Sequence, residues 1–282
     1  MSPLSSADPG AGPTELFLLA LIQGVAEFLP ISSSGHLVLA RVALDVREAG
    51  LALDVALHVG TLLAVVLAYR RDLAAIVRDL ARGRARLLAW LVVATVPAGL
   101  AGLLIDEWIA TVFQTARSAA VGLLATAAIL LAGEWARARG GLRPAEAASG
   151  VPARLRSERA PTFSDALLIG TAQALALVPG ISRSGTTISA GLACGFSPEG
   201  AARLSFLMAI PAILGAAVLE LPGAFREGFG ELDAWLVVVA AAFAGLVGWA
   251  CLRVLLLVLR RGAFRWFALY CAIVGGTVLA VA

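Results

Sequence analysis

Two short stretches decide the fold: Ile31-Ser32-Ser33-Ser34-Gly35 and, 150 residues later, Ile181-Ser182-Arg183-Ser184-Gly185. Each follows a short apolar run that ends in proline, at Pro30 and at Pro179-Gly180. The runs, 16–29 and 163–178, are too short to cross a bilayer, and the first is interrupted by Gln23 and Glu27. A second short apolar piece follows each polar cluster. That order predicts a helix-turn-helix hairpin that enters a membrane without crossing it, a backbone tolerated only when buried in protein or lining a wet cavity.

Working outward, Gln23 matches Gln173 at the same offset, and the apolar run ending at Tyr69 matches one ending at Leu219. The runs near 87–105 and 118–135 find partners near 234–259 and 266–282. With 51–69 and 204–221 these make six runs near the roughly 17–20 residues that span a hydrocarbon core of about 30 Å. The chain then reads as two copies of one unit, a re-entrant hairpin plus three crossings. Three is odd, so the second copy is inverted relative to the first, a design in which broken helices meet near the midplane and build the site. The expected fold is an all-α polytopic membrane protein of ten helical segments in two five-helix units. Residues 1–15 are expected to be a disordered tail and not a signal peptide, having no basic residue. The first repeat is expected over 16–136, a cytoplasmic linker over 137–162 and the second repeat over 163–282.

Composition agrees. Of 282 residues, 60% are apolar and 15% charged, against about half and a quarter in soluble domains. One water-soluble core could not hide so much apolar surface. All 22 basic residues are arginine, which removes a Walker lysine and Schiff-base chemistry. Fifteen of them fall in three loops, 70–86, 137–159 and 260–265, while alternate loops carry Asp106 and Glu107, or Glu227, Glu231 and Asp233. The positive-inside rule makes the arginine-rich loops cytoplasmic and both termini external. Cys194, Cys251 and Cys271 lack ligand spacing and read as small buried residues.

The hairpins hold the candidate chemistry. Gln23 and Glu27 share a helix face, and a carboxylate inside a membrane helix is a functional hypothesis by default. Ser32, Ser33, Ser34, Gly35, Ser182, Ser184, Gly185 and Thr187 surround two helix starts, whose N–H groups and dipoles favour an anion. Arg183 offers a planar fork for phosphate oxygens. His36 is one of two histidines and can serve as acid, base or nucleophile. Each residue has a plainer alternative: Glu27 pairing with Arg183 to hold the hairpins, His36 as a helix cap, individual serines as caps. Asp54 and His58, an i, i+4 pair, read first as supporting residues.

The segments QGVAEFLPISSSGHL, DVALHVGTLLAV and PGISRSGTTISAGLACG closely resemble the undecaprenyl-diphosphatase family, also called the bacitracin-resistance proteins, from about residue 16 to the last helix. The resemblance implies hydrolysis of undecaprenyl diphosphate to undecaprenyl phosphate and inorganic phosphate, recycling the lipid carrier for cell-wall polymers. It implies an essential Glu27 preceded by Gln23 where the family has Glu or Gln, a phosphate-binding Arg183, and a divalent cation, Mg²⁺ or Ca²⁺, with Glu27 its natural ligand. The expected nucleophile is Ser33 with His36 as its base; attack by His36 or by water is the alternative. The expected location is the bacterial inner membrane, with the site opening to the outer face. The expected partners are the diphosphate and membrane lipid, with a second copy of the chain as the candidate protein partner and no nucleic acid. The rival reading is a transporter that moves prenyl phosphate with the same inverted-repeat site.

Overall fold

The computed structural model describes residues 12–46, 51–112, 115–139, 161–228, 233–260 and 264–282. Helices are the only regular structure among them: α1 (Pro13–Phe28), α2 (Ser33–Leu44), α3 (Leu51–Ala68), α4 (Arg70–Ala81), α5 (Arg86–Val112), α6 (Ala116–Arg139), α7 (Phe163–Leu175), α8 (Arg183–Ala193), α9 (Pro198–Glu227), α10 (Ala234–Arg260) and α11 (Phe264–Val281). Six of these, α3, α5, α6, α9, α10 and α11, are long and apolar enough to cross a membrane. They match the six expected runs, α3 and α11 each ending one residue short of the expected 69 and 282. Leu103, Leu104, Val218, Leu246 and Val281 point outward and are exposed, as side chains facing lipid instead of water are.

Three expectations need correction. The first is the count of ten segments, because residues 70–81 form α4 and not a loop. Leu73, Ile76, Val77 and Leu80 fall on one helical face, with Arg71, Asp72, Arg78 and Asp79 on the other, so the segment is amphipathic at the 3.6-residue period. The second is the tail: α1 starts at Pro13, whose fixed φ suits the first helical turn, with Glu15 in that turn. Residues 1–11 of the expected tail lie outside the described residues. The third is the ends of the spans: α5 and α9 continue through 106–112 and 222–227. The linker begins later than expected, α6 running to Arg139; its residues 140–160 lie outside the described residues.

The short pairs α1–α2 and α7–α8 meet at the centre. Helix α1 packs against α10 and α3, α7 against α5, and α8 against α6 and α9. The starts of α2 and α8 are built alike. The Ser32 hydroxyl accepts from the Gly35 amide at 3.2 Å and the Ser182 hydroxyl from the Gly185 amide at 3.1 Å, an N-cap at each. The second turn is pinned by Thr126 of α6, which donates to the Gly180 carbonyl at 2.8 Å and accepts from the Ser182 amide at 2.9 Å. Gly180 has φ +91°, and a Cβ there would lie 2.3 Å from the Ala119 carbonyl, so both conformation and space require glycine. Gly35 meets it from the first hairpin, where a Cβ would lie 2.7 Å from the Gly180 Cα.

Candidate active site

Glu27 is the centre of the polar cluster. It sits in the last turn of α1 and is buried. One oxygen, Oε2, accepts from Ser33 Oγ at 2.7 Å and from Gln23 Nε2 at 3.2 Å. The other, Oε1, accepts from Arg183 Nη2 at 2.5 Å. The first hairpin thus supplies the acid and the hydroxyl, and the second supplies the cation. A buried carboxylate needs such a partner. Arg183 spends only one end of its fork on Glu27; Nη1 is buried without a partner.

An open cavity of about 900 Å³, its mouth included, reaches this cluster. Glu27, Ser32, Ser33, Ser34, His58, Ser182, Arg183 and Ser184 all line it. The amides of Ser33, Ser34, Arg183 and Ser184 stand in the first turns of α2 and α8, where no carbonyl of the same helix can receive them. Two helix starts with one guanidinium between them form a place for an anion.

Several expected roles change. His36 does not line the cavity. Its Nδ1 donates to the Ser32 carbonyl at 2.8 Å, so the neutral ring's Nε2 is an acceptor, and Tyr270 of α11 donates to it at 2.8 Å. The two rings stack with centroids 5.6 Å apart. Both imidazole nitrogens are therefore occupied, and none is left to take the Ser33 proton. The group in contact with Ser33 is Glu27. His58, expected only to support, lines the cavity with Nε2 3.9 Å from Glu27 Oε2. Its Nδ1 donates to the Asp54 carbonyl at 2.8 Å, which turns the Nε2 lone pair toward the acid. Asp54 itself pairs with Arg41 through its carboxylate, holding α3 to α2.

Gly35 and Gly185 do not offer free amides, since Ser32 and Ser182 take them as caps. Thr187 lies behind the cavity: its hydroxyl donates to the Arg183 carbonyl at 2.7 Å and lies 2.6 Å from Ser205 Oγ. It holds α8 to α9. Glu27 as a resident metal ligand does not fit the donor set. Both its oxygens already receive hydrogens, one from a guanidinium. Among the described residues no three His, Cys, Asp or Glu side chains come together as a ligand set. Residues not anticipated include Thr126, Ser205 and Tyr270. Glu220 and Gln173 also line the cavity, and the sequence marks Gln173 only as the repeat partner of Gln23.

A family model described as bacitracin resistance protein BacA matches residues 16–277. The chain is 39% identical to an undecaprenyl-diphosphatase of Thioalkalivibrio sulfidiphilus, across 94% of this chain and 97% of that protein. It is 40% identical to one of Rubrobacter xylanophilus, across 90% and 92%. With one of Korarchaeum cryptofilum the identity is 36%, across 95% and 98%.

Proposed function

Because the chain belongs to the bacitracin resistance protein BacA family, we propose that its central site hydrolyses undecaprenyl diphosphate to undecaprenyl phosphate and inorganic phosphate. The protein is a multi-pass membrane phosphatase, and its product is the lipid carrier reused for cell-wall polymers. The observation that carries this reading is one hydrogen-bonded chain, Ser33 to Glu27 to Arg183, joining both hairpins at the wall of one cavity.

The chemistry follows from that chain. Arg183 and the amides at the starts of α2 and α8 hold the terminal phosphate and neutralise its charge, where most of the acceleration in phosphoryl transfer arises. Ser33 Oγ attacks the terminal phosphorus and its proton passes to Glu27. The phosphoanhydride bond breaks and prenyl phosphate leaves. Water then attacks the phosphoserine, Ser33 recovers its proton from Glu27, and inorganic phosphate departs with release of one proton. His58 beside Glu27 accepts that proton on Nε2. The divalent cation, Mg²⁺ or Ca²⁺, does not fit as a resident of this donor set, and no step above uses it. A cation arriving on the diphosphate, held mainly by phosphate oxygens, is compatible with the cavity. Chelation should then raise the substrate requirement without releasing metal from the purified protein; release of one bound cation per chain would restore Glu27 as its ligand.

The finer architecture is an inverted repeat, α1–α3 with α5 and α6 against α7–α11. Matching caps at Ser32 and Ser182 and the exchanged pairing of α1 with α10 and α7 with α5 support it. Arginine-rich segments on the cytoplasmic side of the inner membrane put both termini outside. The cavity is lined by Val55 and His58, early in α3, and by Ala212, Ile213, Ala216, Ala217 and Glu220, late in α9. In that topology both stretches lie in the outer half of the membrane, which supports a site opening outward. With the native cysteines replaced, Ser33→Cys should react with an impermeant reagent from outside; reaction only from the cytoplasm reverses the assignment. Phosphate release from undecaprenyl diphosphate by detergent-solubilised protein tests the activity, because hydrolysis, unlike transport, needs no two sides. The names of the relatives do not favour transport.

A further inference from the structure

The two hairpins carry a glutamine at the same place, and only one is bound. Gln23 donates through Nε2 to Glu27, four residues on. At the matching place after Gln173 stands Leu177, not an acid. The Gln173 side chain is buried, 3% exposed, and neither its nitrogen nor its oxygen has a partner. Ala176, Leu177 and Ile181 around it in the cavity wall offer no polar side chain. A buried amide left wholly unpaired is strongly unfavourable, and in a native structure such a group calls for an explanation. Gln173 and Arg183 both line this cavity, and Nη1 of Arg183 is likewise buried without a partner. Two kinds of donor on cavity-lining residues thus have nothing of the protein to receive them.

A ligand that satisfies both must be rich in acceptor oxygens and must lie along the second hairpin while touching Arg183. We propose that Gln173 is a substrate-binding residue: Nε2 donates to one oxygen of the diphosphate while Arg183 Nη1 holds another, fixing the group against Ser33. This rests on the diphosphatase reading of the site. It also gives a reason for glutamine at 173. A carboxylate there would be buried beside an anion, with no cation spare, since Arg183 already faces Glu27.

The test uses the full chain in detergent with undecaprenyl diphosphate as substrate and methylenediphosphonate as a non-hydrolysed competitor, for Gln173→Leu, Gln173→Asn and Gln173→Glu, between pH 5 and 8. Loss of one hydrogen bond to a charged group corresponds to about ten- to a hundredfold. In Gln173→Leu the KM and the inhibition constant of the competitor should both rise by that factor, with kcat changing less. Gln173→Glu should be worse than Gln173→Leu at pH 8 and recover as the pH falls, because a protonated carboxyl again has a hydrogen to donate. A merely structural glutamine would not produce that pH-dependent rescue. Unchanged KM and inhibition constant in Gln173→Leu, or a wild-type pH profile in Gln173→Glu, overturns the proposal. If Gln173→Leu fails to insert, the Asn and Glu variants decide by the same measurements. If wild-type protein releases no phosphate, the diphosphatase reading fails separately, and calorimetric binding of methylenediphosphonate to wild type and Gln173→Glu still decides the role of Gln173.

Discussion

The first and second hairpins share a serine cap, yet the positive φ of the turn falls at Ser32 in one and at Gly180 in the other, and their polar side chains have been dealt differently. Where the first has Glu27, the second has Leu177; where the first has Ser33, the second has Arg183. One hairpin holds the acid and the hydroxyl, the other the cation and an unbound amide. Neither alone makes a site. A duplicated element can thus keep its backbone instructions in both copies while the chemistry is divided, so that function appears only where the copies touch.

The sharpest way to break this contrast is across the contact itself. Glu27→Gln should lower turnover by about 10²–10⁴-fold, the range for loss of a general base. Arg183→Lys should lose about 10²–10³-fold, as for loss of one charge-stabilising donor, because an ammonium cannot hold Glu27 and a phosphate in one plane. The double variant should lose less than the product if the two act as one unit. Single-turnover phosphate release measures all three, and multiplicative losses would separate the hairpins into independent contributors. Ser33→Ala should fall by at least about 10²-fold, with phosphoserine trapped by acid quench in wild type only. Retained turnover would transfer the attack to water.

A smaller effect concerns the histidine. Its link to Tyr270 makes His36 an anchor between α2 and α11. Tyr270→Phe should therefore reproduce part of the His36→Phe loss in activity, whereas His58→Gln should lower turnover by removing the acceptor beside Glu27. A harmless Tyr270→Phe beside a dead His36→Phe would give His36 a chemical role of its own. Smaller still is a difference in packing. Gly35→Ala drives a Cβ to within 2.7 Å of the Gly180 backbone, while Gly185→Ala meets Ser182 Cβ at 3.0 Å. Overpacking costs typically about 1–3 kcal/mol, so Gly35→Ala should lower the thermal midpoint in detergent more than Gly185→Ala does. The reverse order would mean that the first hairpin yields more readily. At the low end, Ser182→Ala should remove about 1 kcal/mol of capping. Ser32→Ala should remove a similar amount, because alanine keeps the Cβ and leaves the strain of φ +72° unchanged.

Much of this was legible in the residues. Spans needed only length and hydropathy, and the 150-residue offset exposed the paired hairpins because polar clusters are rare inside apolar chain. Glu27 and Arg183 stood out for the same reason: a membrane raises the cost of charge. Helix α4 was overlooked because its arginines look like a loop when counted and like a helical face only when Leu73, Ile76, Val77 and Leu80 are placed at the 3.6-residue period. The error over His36 has a different origin. Three residues from Ser33 on a helix start, it is a neighbour in sequence, but whether two side chains meet depends on what else competes for each. Tyr270, 234 residues away, wins the imidazole, and no local pattern encodes that. His58 was undervalued for the converse reason: α3 brings it to Glu27 from a different element.

Next to Glu27, aromatic rings fill the core. Phe28 packs on Phe206 with ring centroids 5.7 Å apart, and Phe206 on Tyr69 at 6.2 Å. Beyond them Arg203 of α9 pairs with Asp72 of α4. In the outward-opening topology proposed above, this stack lies on the inner side of the site. In that topology phosphate freed at Ser33 leaves to the exterior, and the dephosphorylated lipid remains in the outer leaflet. In the same topology, returning that carrier to the cytoplasmic leaflet is a step separate from hydrolysis.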